Sequence, residues 1–373
     1  MKNSPDTPIR VAQVMGKMLG GGVESVVMNY YRHIDRSRVQ FDFLVDSDST
    51  LVPSEEIEDL GGNIYEIPPY QHIFDYQRSL QNLFKQQKWQ IVHSHINTLS
   101  VFPLRAATIT GVPVRIAHSH ATMGKGEAKR NLIKMILRPL SNVYSTNRVA
   151  CSNYAGNWLF GKNALFSVIP NAIDLNKFLF NAEIRKAVRH AWGVNEECCV
   201  VGNLGRMENT KNQSFLIDAF AKLHAEFENS ILVIAGCGSL QKTLERKVCD
   251  LGLEQSVFFL GQVDNVGDLY QGMDVFALPS LYEGFGMALL EAQVSGIPCV
   301  TSNRVSPEVV LSDNCKLLPL EDGATAWARA MRTQFINGAR YELAKETLEC
   351  FDIDSAAAKL CTFYSMLYKD TAR

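Results

Sequence analysis

Short apolar runs alternate along the chain with segments whose apolar residues recur at helical spacing. The runs predict buried strands at Ile9–Met15, Phe41–Val45, Ile64–Ile67, Ile91–His93, Val114–His118 and Arg148–Ala150. Between them the spacing predicts helices such as Val23–Arg32 and Tyr76–Gln87. After Trp192 the rhythm restarts, with strands at Cys199–Leu204, Ser230–Ala235, Val257–Leu260, Val275–Leu278 and Cys299–Thr301. The helices of this half read at Asn212–Glu226, Leu240–Leu251 and Gly286–Ser295. Strands alternating with helices build parallel sheets covered on both faces. The fold class is therefore α/β, with two successive doubly wound domains, each around its own sheet.

An extended stretch and a short charged helix occupy the region from about 170 to 197, the expected linker. Residues 1–178 form the first predicted domain and 179–352 the second. Residues 353–373 hold a helical pattern over Asp354–Tyr368, expected to pack back on the first domain.

A length of 373 residues suits two domains of ordinary size. The formal net charge of -2 gives no signal for nucleic acid, and no nucleic-acid partner is expected. The charge is uneven: residues 1–178 carry 19 Lys and Arg against 14 Asp and Glu, the remainder 18 against 25. That split points mildly to an anionic partner for the first half. Nine cysteines without a C-x-x-C pair fit reduced thiols better than a disulfide framework or a zinc site. The opening MKNSPDTPIR lacks the apolar core of a signal peptide, and no window approaches the length of a membrane span. A cytoplasmic location is expected.

Three sets of residues carry candidate chemistry. Gly20-Gly21-Gly22 follows the first strand and opens the first helix, where backbone can approach a ligand closely and a helix N-terminus favours phosphate. It does not read G-x-G-x-x-G, the dinucleotide fingerprint. His93-Ser94-His95 and His118-Ser119-His120 each end a predicted strand, at the edge where open α/β sheets bind ligands. Structural hydrogen bonding and contact with a substrate both remain open for them. Metal ligation is disfavoured, since no suitably placed carboxylate or cysteine joins the histidines.

The third set lies in the second half. Gly202-Asn203-Leu204-Gly205-Arg206 ends a strand, and Lys211 follows; two cations there suit a diphosphate. Gly236-Cys237-Gly238 offers a second turn where backbone can meet a ligand. Glu283-Gly284-Phe285-Gly286-Met287-Ala288-Leu289-Leu290-Glu291 places a carboxylate in a loop, a glycine turn, a helix start and a second carboxylate on that helix. Free amides at the helix start can hold a phosphate oxygen, and the carboxylates can accept bonds from sugar or ribose hydroxyls.

At these residues the sequence resembles glycosyltransferase family 4, whose GT-B fold sets two Rossmann-like domains around a central cleft. The resemblance includes Gly21–Glu24, Ile169–Asp174, Gly205-Arg206 with Lys211, Asp274–Ser280 and Glu283–Glu291, and so covers nearly the whole chain. Gly21–Val45 is particularly similar to enzymes of bacterial exopolysaccharide and capsule assembly. The resemblance implies a retaining hexosyltransferase that needs neither cofactor nor metal. It implies a nucleotide-diphosphate sugar donor, with UDP preferred, and a glycan acceptor that a polyprenyl diphosphate can carry.

The resemblance also implies roles. Arg206 and Lys211 would neutralise the leaving diphosphate, and amides at Phe285, Gly286 and Met287 would hold its oxygens. Glu291 would take the ribose hydroxyls, Glu283 the transferred sugar, and backbone near Val263 the base. Gly21 and Gly22 belong to the acceptor side. One histidine at a first-domain strand end would contact the donor sugar; His118 and His120 both qualify, and His120 is preferred as nearer the loop. An epimerase of the same fold, a dehydrogenase and a non-catalytic nucleotide-sugar binder are the rival readings.

Residues 124–140 add a possible surface contact. On a helical wheel Leu132, Ile133, Ile136 and Leu140 share one face, and Arg130, Lys134 and Arg138 the other. Such a helix either covers its own core or lies on an anionic membrane surface, which would place the protein peripherally on the inner face of the membrane.

Overall fold

The computed structural model describes residues 7–120 and 134–371. The chain divides into two compact units, one ending at Ile173 and resuming at Cys350, the other spanning Asp174–Glu349.

The first unit holds a seven-stranded sheet in the order β3-β2-β1-β4-β5-β6-β7. Its strands are β1 (Ile9–Gly16), β2 (Val39–Asp46), β3 (Asn63–Ile67), β4 (Ile91–Ser94), β5 (Val114–Ser119), β6 (Asn147–Ala150) and β7 (Ser167–Val168). Every pairing is parallel. The sequence pattern omits β7, because two exposed residues leave no apolar run to read. Buried Val14, Leu44, Leu80, Val92 and Leu104 form one face of the core. The terminal helix Ile353–Asp370 packs on β1, β2 and the helix Gly22–His33. Ile173 bonds to the backbone of Phe351 and Ile353, which returns the chain to this unit.

The second unit holds a six-stranded sheet in the order β10-β9-β8-β11-β12-β13. Its strands are β8 (Cys199–Leu204), β9 (Ser230–Ala235), β10 (Val257–Gly261), β11 (Val275–Leu278), β12 (Cys299–Ser302) and β13 (Cys315–Leu318). Again all pairings are parallel. β13 is half-buried at the sheet edge, which weakens its apolar signal and explains its absence from the predicted set. Trp327, fully buried on the helix Gly323–Asn337, seals the core against the helix Gln213–Glu226.

The charged helix Ala182–Ala191 belongs to this second unit. Its cations are the reason it stays. Arg189 is buried and donates to Gly272 O, Cys198 O and Asp274 Oδ2, the last at 2.8 Å. Arg185 reaches Asp274 Oδ1 at 2.7 Å, and Asp274 also accepts the Val200 amide at 2.9 Å. One carboxylate at the head of β11 therefore satisfies two guanidinium groups. Asp274→Ala takes the nearest carboxylate from the buried Arg189, while Arg185 keeps Glu196 at 3.0 Å, and is expected to destabilise this unit by about 3–5 kcal/mol. Urea unfolding checks this, with the exposed pair Arg332–Glu226 as the control: Arg332→Ala should cost less than about 1 kcal/mol.

Candidate functional site

In the second unit β8 lies between β9 and β11, so successive connections leave it in opposite directions. Open α/β sheets bind ligands at this reversal, beyond the strand C-termini. The loops after β8 and β11 are neighbours there. Leu281 donates its amide to Thr210 O at 2.8 Å, and Asn212 Nδ2 donates to Pro279 O at 3.1 Å. These bonds bring the sequence-predicted residues together. Lys211 Nζ pairs with Glu283 Oε1 at 2.6 Å, and Ser280 Oγ donates to the same oxygen at 2.7 Å. Arg206 is exposed, and its guanidinium has no partner among the described residues.

Glu291 stands on the helix Met287–Val294 and accepts the Tyr270 hydroxyl at 2.8 Å. Burial pushes its carboxyl up to about 6; the Tyr270 bond and the Lys211 charge offset part of that rise. Gly286 opens this helix at φ +94, a left-handed conformation that strains any residue with a Cβ. The amide of Met287, as the first helical residue, has no intrahelical acceptor. Val263 sits partly buried in the loop between β10 and the helix Val266–Gly272.

Gly236 and Gly238 have a packing role. A Cβ on Gly236 would lie 2.3 Å from Gly205 O, and one on Gly238 2.4 Å from Met207 O. Their absence of side chains lets the loops after β8 and β9 touch.

In the first unit the loop after β1 is already occupied. Glu24 accepts the amides of Leu19 at 3.0 Å and Gly21 at 2.7 Å, so a carboxylate of the helix itself fills that part of the glycine loop. Gly21 caps the helix and Gly22 begins it. The four strand-end histidines, all buried, form one network. His93 Nε2 meets His118 Nδ1 at 3.0 Å, and His95 Nδ1 meets His120 Nε2 at 2.9 Å. Burial pushes His93 and His120 down to about 3, and His95 and His118 far below their ordinary value. All four are neutral at pH 7. Ring nitrogens of His93, His95 and His118 lie within 4.8 Å of one another, a spacing compatible with a metal.

Sequence reasoning passed over several partners. Gln13 and Tyr364 join the histidine network, Tyr270 holds Glu291, and Ser280 holds Glu283. Gln13 had a signal, an amide inside the apolar run of β1. Tyr364 had none, since a helical pattern does not say what its aromatic residues touch. The expectation of metal independence also takes the sequence to lack an Asp-x-Asp pair at a strand end; Asp46-Ser47-Asp48 at the end of β2 is such a pair. Lys17 pairs with Asp48 at 2.7 Å, and burial pushes the Asp46 carboxyl up to about 6.

A family model for Glycosyltransferase Family 4 matches residues 20–177, and one for Glycosyl transferases group 1 matches residues 184–346. EpsF of Bacillus subtilis (strain 168), assigned as a glycosyltransferase, is 33% identical over 357 residues, 93% of each chain. The chain belongs to glycosyltransferase family 4. A second relative of this glycosyltransferase is the UDP-Gal:alpha-D-GlcNAc-diphosphoundecaprenol alpha-1,3-galactosyltransferase of Escherichia coli, 30% identical over 236 residues and 60% of each chain. In fold it resembles HepE of Anabaena, solved with UDP and glucose, at a TM-score of 0.73, 19% identity and 98% of each chain. Its two parallel sheets are those of the GT-B fold.

The raised Glu291 carboxyl has a consequence for the stability of this glycosyltransferase. A carboxyl raised above its ordinary 4.5 favours the folded state most below pH 4.5, and that benefit is lost as pH rises through about 6. Glu291→Gln removes this loss, so at pH 7 the variant should gain up to ~2 kcal/mol over the wild type. The gain should vanish at pH 4. Paired urea melts across that range check the slope.

Proposed function

We propose that this glycosyltransferase is a retaining, metal-independent enzyme that moves a hexose or N-acetylhexosamine from a UDP-sugar to a glycan on polyprenyl diphosphate. The product belongs to exopolysaccharide or capsule assembly. The observation that carries the reading is the group Arg206, Lys211, Glu283 and Glu291 at the strand reversal of the second sheet. The donor and acceptor in the name of the Escherichia coli relative support the choice of substrates.

In this proposal the labour is divided among these residues. Lys211 is tied to Glu283, so Arg206 and the amides of Phe285, Gly286 and Met287 take the first share of the diphosphate charge. Lys211 orients Glu283, which accepts hydroxyls of the transferred sugar. Glu291 holds the ribose diol, and backbone near Val263 faces the base. His120, with His118 beside it, contacts the donor sugar. Gly21 and Gly22 border the acceptor. Catalysis then consists of positioning and stabilisation of developing charge while the departing phosphate helps deprotonate the acceptor.

The test is mass-spectrometric detection of transferred sugar and released nucleoside diphosphate, with a panel of nucleotide sugars and a polyprenyl-diphosphate-linked sugar acceptor. Arg206→Ala should cost on the order of 10²–10³ in turnover. Glu291→Ala should chiefly raise the donor KM, and Glu283→Ala chiefly lower kcat. Activity should persist in excess EDTA; its loss, restored by Mg²⁺ or Mn²⁺, would assign a role to a metal and turn attention to Asp46 and Asp48.

A membrane contact fits the acceptor. No helix among the described residues is long and apolar enough to cross a membrane. Met135, Ile136, Leu140 and Val143 are exposed, at 57%, 63%, 41% and 62%. Ile136 and Leu140 therefore do not cover their own core. Leu132, Ile133 and Arg130 lie outside the described residues. Vesicles rich in anionic lipid should co-sediment the protein at low salt and release it at high salt, while neutral vesicles should not.

A further inference from the structure

The histidine network is a single chain of hydrogen bonds with two loose ends. Its order is His118, His93, Tyr364, Gln13, His95, His120. Tyr364 comes from the terminal helix and Gln13 from the middle of β1. Among the described residues the loose ends, His118 Nε2 and His120 Nδ1, are buried without a partner. Their rings stack with centroids 3.8 Å apart, and both line a cavity of about 20 Å³, room for about one oxygen atom.

With the Gln13 amide donating to Tyr364 and accepting from His95, the chain fixes where its protons are. Gln13 Nε2 donates to the Tyr364 hydroxyl at 3.2 Å, so that hydroxyl gives its own proton to His93 Nδ1 at 2.6 Å. His93, neutral, then carries its proton on Nε2 and donates to His118 Nδ1, which leaves His118 with an N–H at its open Nε2. On the other arm Gln13 Oε1 accepts from His95 Nε2 at 2.8 Å. His95 Nδ1 must therefore accept from His120 Nε2, which leaves His120 with a lone pair at its open Nδ1. Every proton points the same way along the chain. Reversing the Gln13 amide reverses all of them together, and the ends still differ: one N–H, one lone pair.

We propose that Tyr364 and Gln13 are positioning residues that lock His118 and His120 as a matched donor and acceptor for one hydroxyl of the donor sugar. A hydroxyl both accepts and donates, so it satisfies both ends. A metal ion needs two lone pairs and an anion two donors, and the locked pair offers neither set. The proposal rests on the glycosyltransferase reading for the identity of the hydroxyl, and on the hydrogen-bond chain alone for the lock.

Two measurements on the full chain separate these. In ¹⁵N-histidine spectra at pH 7, His93, His95, His118 and His120 should all show the same neutral tautomer. Tyr364→Phe breaks the link between the arms, so His93 and His118 should no longer share the tautomer of His95 and His120. Tautomers that differ between the two arms in the wild type, arms that still match in the variant, or zinc-induced shifts in the wild type would overturn the lock. In the transfer assay, monodeoxy analogues of the accepted donor sugar are compared. One analogue should lose about tenfold or more in kcat/KM with the wild type, and Tyr364→Phe should shrink that discrimination. Equal discrimination in both proteins would overturn the positioning role. Failure of every nucleotide sugar in the assay would refute the glycosyltransferase reading while the spectra still judge the lock.

Discussion

The constraint on which this protein depends is that, in both of its described sheets, all strand pairings are parallel. A parallel strand must return by a crossover, so every strand ends at one edge of its sheet and every loop leaving that edge starts among the others. The order β3-β2-β1-β4 in one unit and β10-β9-β8-β11 in the other reverses winding at the middle of each sheet. There the loops part and leave room. The residues with chemistry in them follow the strands on either side of the two reversals: Arg206 and Lys211 after β8, Glu283 after β11, His95 after β4.

Within the second unit the charges are arranged so that few are left to be solvated alone. Lys211 lies against Glu283 and acts at longer range on Glu291, while Tyr270 and Ser280 supply neutral donors to the two carboxylates. A buried carboxylate is costly without such partners. The result is a nearly balanced group beside one exposed guanidinium. That guanidinium has no carboxylate partner among the described residues, so it is the cation of the group left without a pair. The same economy appears away from the site, where Asp274 serves both Arg185 and Arg189 and fastens the helix Ala182–Ala191 to the sheet.

The first unit solves the opposite problem, a cluster of polar side chains with no charge at all. Burial keeps the four histidines neutral, so their energy comes from hydrogen bonds, and each neutral imidazole can give one proton and accept one. Such a chain is stable only when every link has a single proton. Gln13 and Tyr364 provide that continuity between two arms that do not otherwise bond. The terminal helix is thereby tied into the polar core of the sheet it covers, since Tyr364 packs beside Phe41 as well as His93.

The alternation of apolar runs and helical spacing was enough to determine two doubly wound α/β halves, and the motifs around Arg206 and Glu283–Glu291 were enough to carry the resemblance to glycosyltransferase family 4. Hydrophobic periodicity is local, and a loop motif needs only its own residues to be recognised. β7 and β13 escaped because a short or half-exposed strand leaves no run to read. What the tertiary structure decided is pairing. Lys211 and Glu283 are 72 positions apart, Gln13 and Tyr364 351 apart. Whether Lys211 is a free cation, whether Gly236 faces a ligand or the Gly205 backbone, and whether His118 and His120 are ligands, anchors or bystanders all depend on which loops the strand order brings together. Residue spacing within one segment has no information about a partner supplied by another, and that partner sets the charge, the proton and the room available to each side chain.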